Sequence, residues 1–150
     1  MTWVARHAAS LEAVSAVMTA IIALVALVGV KYQLDAAEAL QRAQSARDAY
    51  RSHLALAVAH PQFSRPDNVC ELLDSDEAAA YEAFVDHLLY SAEQMLNVEA
   101  GWNDTFLAAL QDHAVYICSS ADELADEESV DMLLKAFKST QCGSITACPL

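Results

Sequence analysis

The stretch Leu54 to Asn68 reads LALAVAHPQFSRPDN, an alanine-rich helical run that meets two prolines five residues apart. Pro disfavours helical geometry in the residue before it, so His60-Pro61 predicts the end of one helix. Arg65-Pro66-Asp67-Asn68 then has the composition of a turn, and Phe63 between the two breaks is placed to plug the underside of a globule. Before the break, nothing stops a helix. Residues 31 to 59 contain no proline and are rich in Ala, Leu, Gln, Arg and Glu, which are strong helix formers. Glu38 and Arg42 can pair at i,i+4. From Ala46 the pattern becomes amphipathic, and Tyr50, Leu54, Ala57 and Val58 are expected on its buried face. The turn is thus read as the point where an extended stalk becomes a globule.

Upstream, residues 13 to 30 read AVSAVMTAIIALVALVGV, eighteen residues without a charge between Glu12 and Lys31. As a helix they extend about 27 Å at about 1.5 Å per residue, close to the hydrocarbon thickness of a bilayer. A secretory signal has a shorter apolar region, about 7 to 15 residues; Ala37-Glu38-Ala39 imitates a cleavage site but lies far past the run. A retained transmembrane helix is therefore expected, after a short tail of residues 1 to 12. On a helical wheel Ser15, Ala16, Thr19, Ala20, Ala23 and Ala26 gather on one side, and Val14, Val17, Ile21, Leu24, Val25 and Val28 on the other. Small residues let helix backbones approach closely in lipid, so the first group is the expected packing face for another transmembrane helix, from a second copy or a different protein.

Orientation follows from the basic residues flanking the span. Arg6 and the α-amino group precede it; Lys31, Arg42 and Arg47 follow it. The positive-inside rule then places the long C-terminal part in the cytoplasm. Cys70, Cys118, Cys142 and Cys148 would stay reduced there and would tend to pair in a periplasm. Four cysteines allow three complete pairings, and spacing selects none of them. A small loop closed by Cys142 and Cys148 is feasible.

Downstream of the turn, helices are legible in the apolar spacing. Asp74-Ser75-Asp76-Glu77 offers a cap before the stripe Tyr81, Phe84, Val85, Leu88, Leu89, Ala92, Met95 and Leu96. Gly101-Trp102-Asn103-Asp104 punctuates the chain. Phe106, Leu107, Leu110, Ala114, Ile117 and Cys118 follow at helical spacing. Ser119 to Glu128 is an acidic connection, expected to be partly helical. A last helix carries Val130, Leu133, Leu134 and Phe137, with Lys135 and Lys138 suited to its C-terminal dipole, and the tail QCGSITACPL is expected to be irregular. The fold class is all-α: a transmembrane helix (13–30) continuing into a stalk (31–59), then a bundle of about three helices (60–140) and a tail (141–150). The chain of 150 residues is 55 % hydrophobic but only 7 % aromatic, with three Gly and three Pro, which disfavours a many-turned β fold.

The charge is uneven. Residues 60 to 150 hold 3 Lys/Arg against 17 Asp/Glu, a balance of −14, whereas residues 1 to 59 balance at +1. An acidic body repels phosphate backbones, so nucleic-acid binding is disfavoured. The same charge suits solubility or a basic protein partner. No phosphate-cradling glycine loop, nucleophile elbow, H-E-x-x-H or C-x-x-C occurs. His113 and Cys118 are the nearest approach to a nucleophilic couple, but five residues apart on a helix they point about 140° from each other. His53, His60, His87 and His113 lack the spacing of metal ligands and are expected to be half-buried and hydrogen-bonded. No catalytic residue, cofactor or metal is expected.

AYRSHLALAVAHPQFSRP, YEAFVDHLLYSAEQML and W..TFLAALQDHAVYICS together resemble an uncharacterised family of bacterial single-span proteins, over roughly residues 45 to 120. Tyr50, Pro61, Phe63, Tyr81, Trp102 and His113 carry the likeness. It implies a single-pass protein of the bacterial inner membrane with a small cytoplasmic helical domain, and no activity. Three functions follow for comparison: a membrane-anchored interaction or scaffold module without catalysis, a small accessory subunit of a larger membrane complex, and an enzyme using Cys118 with His113.

Overall fold

The computed structural model describes residues 2–120 and 128–148. Among them there are helices and no strands: α1 (Thr2–Ala59), α2 (Pro61–Ser64), α3 (Val69–Leu73), α4 (Ala78–Leu96), α5 (Asn103–Gln111), α6 (Ala114–Ser119) and α7 (Glu128–Gln141), with 3-10 turns at Ala100–Trp102 and Cys142–Ser144. The all-α class and the long N-terminal helix are as expected. Helix α1 begins at Thr2, so it takes in the stretch expected to be a tail. The acidic link 121–127 and the terminal Pro149 and Leu150 lie outside the described residues.

The chain divides into two compact units, Met1–Gln41 and Arg42–Leu150. The first is helix throughout its described length, and from Glu12 onward its side chains are exposed. It contains the one helical stretch, among the described residues, long and apolar enough to cross a membrane. The two hydroxyls of its uncharged run, residues 13 to 30, are satisfied within the helix: Ser15 Oγ donates to the Glu12 carbonyl and Thr19 Oγ1 to the Ser15 carbonyl, each at 2.8 Å. Such internal satisfaction is what a segment deprived of water requires.

The second unit begins at Arg42, so the C-terminal part of α1, residues 42 to 59, belongs to the globule. Its buried face is Ala46, Tyr50, His53 and Ala57, a 4-3-4 spacing that keeps one stripe turned toward a neighbouring helix. Two residues expected on that face are turned away: Leu54 is 45 % exposed and Val58 83 %. The expected face was misplaced because one of its true positions is a histidine, which an apolar pattern does not register.

Helix α1 ends where Pro61 requires it to end, and Pro61 opens the single turn of α2 as a residue whose missing N–H is no loss there. Phe63 is buried, and Asn68 caps α3 by accepting the Glu71 N–H at 3.3 Å. The expected cap before α4 is displaced. Ser75 Oγ accepts the Glu77 N–H at 3.1 Å, while Glu77 itself occupies the cap position without a side-chain bond. Helix α4 is the centre of the unit and buries Tyr81, Phe84, Val85, Leu88, Leu89, Ala92 and Met95. It packs against α3 and α7, and α5 and α6 also contact α7.

The single helix expected through Phe106 to Cys118 is divided at Asp112-His113 into α5 and α6. Asp is a weak helix former that competes for backbone groups. The interruption lets Phe106 and Leu110 on one piece and Tyr116 and Ile117 on the other all reach the core, with His113 buried between them.

Candidate functional site

Three features of the molecule hold chemistry. The first is an aromatic and imidazole cluster in the core of the unit Arg42–Leu150. His53 on α1 faces Phe84 at a ring separation of 4.8 Å and lies parallel to His87 of α4 at 5.7 Å. His113, at the break between α5 and α6, lies 5.8 Å from both Tyr81 and Phe84, and its Nδ1 is 3.1 Å from the Tyr81 hydroxyl. Burial lowers the His53 pKa to about 4, with the neighbouring imidazoles of His87 and then His113 adding to it. Burial likewise lowers His113 to about 4, opposed by the nearby Asp112 carboxylate. Burial raises the Tyr81 phenol, with Tyr116 adding to it. At neutral pH both of these histidines are uncharged.

The expectation that the histidines are half-buried and hydrogen-bonded is met in part: His113 is hydrogen-bonded but fully buried, His53 is also buried, His87 is half-buried and His60 is exposed. Nδ1 of His53 and Nδ1 of His87 are buried without a hydrogen-bond partner, as is Ser129 Oγ. Among the described residues no three His, Cys, Asp or Glu side chains come together as a metal site. Ser91, which sequence reasoning did not single out, is fully buried and ties α4 to α1. Its hydroxyl reaches the His87 carbonyl at 2.8 Å and the Ala49 carbonyl at 3.3 Å. Its signal was its place inside the apolar stripe of α4.

The second feature is the cysteines, which form the disulfides Cys70–Cys148 and Cys118–Cys142, both with Cα atoms 5.4 Å apart. That separation is normal for a disulfide. Cys142 and Cys148 are not partners, which corrects the small loop considered from their spacing. Cys118 offers His113 no thiolate, because its sulfur is bonded to Cys142. The paired state also weighs against the cytoplasmic placement drawn from the flanking basic residues, since disulfides are rare in a reducing compartment.

The third feature is surface. Ser15, Ala16, Thr19, Ala20, Ala23 and Ala26 are exposed on α1, as are Val14, Val17, Ile21, Leu24, Val25 and Val28 on the broader apolar side. On the globule, a groove of about 290 Å³ beside the post-proline turn is lined by Asp67, Glu71 and Glu77 among others. A second, of about 380 Å³, runs between α4, α5 and α7 over Leu96, Leu107, Met132 and Leu133. The histidine cluster, the disulfides and the exposed apolar helix are separate features, not one constellation. Comparison with family models, with curated proteins and with solved structures gives no match to this chain.

Proposed function

We propose that this protein is a membrane-anchored helical interaction or scaffold module that performs no catalytic step of its own. The observation that carries the proposal is the uncharged run within α1, whose side chains are exposed along its whole length. Exposed to water, apolar surface of that extent would drive aggregation; in lipid it is at home. The small-residue face Ser15, Ala16, Thr19, Ala20, Ala23 and Ala26 suits close contact with a transmembrane helix, from a second copy or another protein. The acidic globule suits a basic protein partner. The resemblance to bacterial single-span proteins suits a place in a bacterial inner membrane.

The test is fractionation of the full chain. Retention in the membrane through alkaline carbonate is the expected result, and release without detergent would refute the anchor. Native mass analysis after detergent extraction then assigns the contact. A lone or self-paired chain supports the module, and a fixed heteromer replaces it with an accessory subunit.

A further inference from the structure

We infer that the unit Arg42–Leu150 lies on the oxidising side of the membrane, with the N-terminus on the reducing side, and that it receives both disulfides from a thiol–disulfide oxidant of that compartment. The inference rests on the anchor proposed above and adds a direction to it. The chain has four cysteines, and all four are paired. Two independent pairs stand at bonding separation in one fold, although neither pair is close in sequence: the partners are 78 and 24 residues apart. Four half-buried thiols acting merely as small hydrophobes need no such juxtaposition.

The bonds also join two of the shortest helices to the C-terminal end of the chain. Cys70 lies in the five-residue α3 and Cys148 in the segment after the last helical turn. Cys118 lies in the six-residue α6 and Cys142 just beyond α7. Helices this short are marginal without external support. Besides its disulfide, the Cys148 segment is tied by the Cys148 N–H, which donates to Ser119 Oγ at 3.0 Å. Cross-links of this kind persist in oxidising compartments and are lost to the thiol pool of a cytoplasm.

Opposing this is a small excess of basic residues after the span, Lys31, Arg42 and Arg47 against Arg6 and the α-amino group. That bias is the weaker of the two considerations, because long domains translocate largely regardless of flanking charge. The body itself holds only Arg65, Lys135 and Lys138 as Lys or Arg residues after Ala59.

The chemistry balances with a protein disulfide as oxidant. A thiolate of the chain attacks the oxidant's disulfide and displaces one of its sulfurs, giving a mixed disulfide. The partner thiolate then attacks the chain's sulfur in that bond and releases the second oxidant thiol. Two such exchanges convert four chain thiols to two disulfides and reduce two oxidant disulfides to dithiols, which take the protons.

The experiment uses the full chain expressed in a bacterium with an oxidising periplasm. Thiols are trapped by acid, then the denatured chain is alkylated with a maleimide–polyethylene glycol, before and after reduction. The expected result is no added mass without reduction and four additions with it. In parallel, intact spheroplasts are treated with a membrane-impermeant phosphine and an impermeant maleimide, and labelling is expected without lysis. Four additions before reduction, or labelling that requires lysis, would overturn the inference. A carbonate wash of the same membranes separates the two failures: a chain released by carbonate defeats the anchor, whereas a retained chain with free or lysis-dependent thiols defeats only the orientation.

Discussion

Lowering the pH from 7 to 5 should destabilise the unit Arg42–Leu150 by about 4 kcal/mol, through two histidines that fold uncharged. His53 is 6 % exposed and His113 2 %, and both have pKa values lowered from 6.5 to about 4, first of all by burial. The folded values lie below the unfolded ones, so between 6.5 and 4 the unfolded chain binds more protons. The stability these groups confer is therefore whole above pH 6.5, declines as pH falls through that window and is gone below about 4. At pH 5 each unfolded imidazole is almost fully protonated and each folded one about a tenth, which corresponds to about 2 kcal/mol per histidine. For a domain of this size 4 kcal/mol lowers the melting temperature by about 15 to 20 °C. The assay is thermal unfolding of residues 42–150 followed by circular dichroism at pH 7, 6 and 5, with imidazole nitrogen NMR to follow the charge of each ring. His53→Phe should remove about half of the pH dependence. It should leave stability at pH 7 unchanged or higher, because it also removes the unpartnered Nδ1. A melting temperature that does not move between pH 7 and 5, or a His53→Phe variant with the full slope, would refute the reasoning.

Leu88, 1 % exposed at the centre of α4, should cost about 2 to 5 kcal/mol when replaced by Ala. Glu82→Ala, on the exposed face of the same helix, should change stability by less than about 0.5 kcal/mol; equal melting temperatures for the two would mean that the buried face is misassigned. Opening Cys70–Cys148 with paired Ala substitutions should cost about 4.5 kcal/mol and opening Cys118–Cys142 about 3.5 kcal/mol, from the loop lengths of 78 and 24 residues. Denaturant titration of the two variants checks the order, and a larger loss for the shorter loop would show that the unfolded-state account fails here. Ala20→Leu or Ala23→Leu should weaken association of the transmembrane helix in an in-membrane reporter assay, while Val25→Leu on the opposite side stays silent. No change for either alanine variant would leave the small face without a role.

Periodicity and prolines were enough to place the large elements. The uncharged run from Ala13 to Val30 needs no tertiary information, because its meaning comes from the chain's chemistry against a solvent. Pro61 ends α1 through a local clash with the residue before it, and the stripe of α4 identifies its own buried side. Phe84, Leu88, Leu89, Leu110 and Ile117 are all in the core, as their spacing predicts, and so is Phe63, as its place between the two proline breaks predicts. What lay beyond the sequence depends on which side chains meet across the fold. Leu54 and Val58 are apolar yet outward, because the turn of α1 is set by Tyr50 facing Trp102 and Phe106 and by His53 facing Phe84 and His87 of α4, and a histidine in a buried stripe reads as polar until its neighbours are known. The helix expected through Asp112 breaks because two short pieces bring Phe106, Leu110, Tyr116 and Ile117 inward together. The disulfides show the division most sharply. Four cysteines on a line are compatible with three pairings, and only the packing of α3 and α6 near the chain's C-terminal segment brings Cys70 to Cys148 and Cys118 to Cys142. A disulfide forms between sulfurs that the fold holds at bonding distance, whatever their separation along the chain.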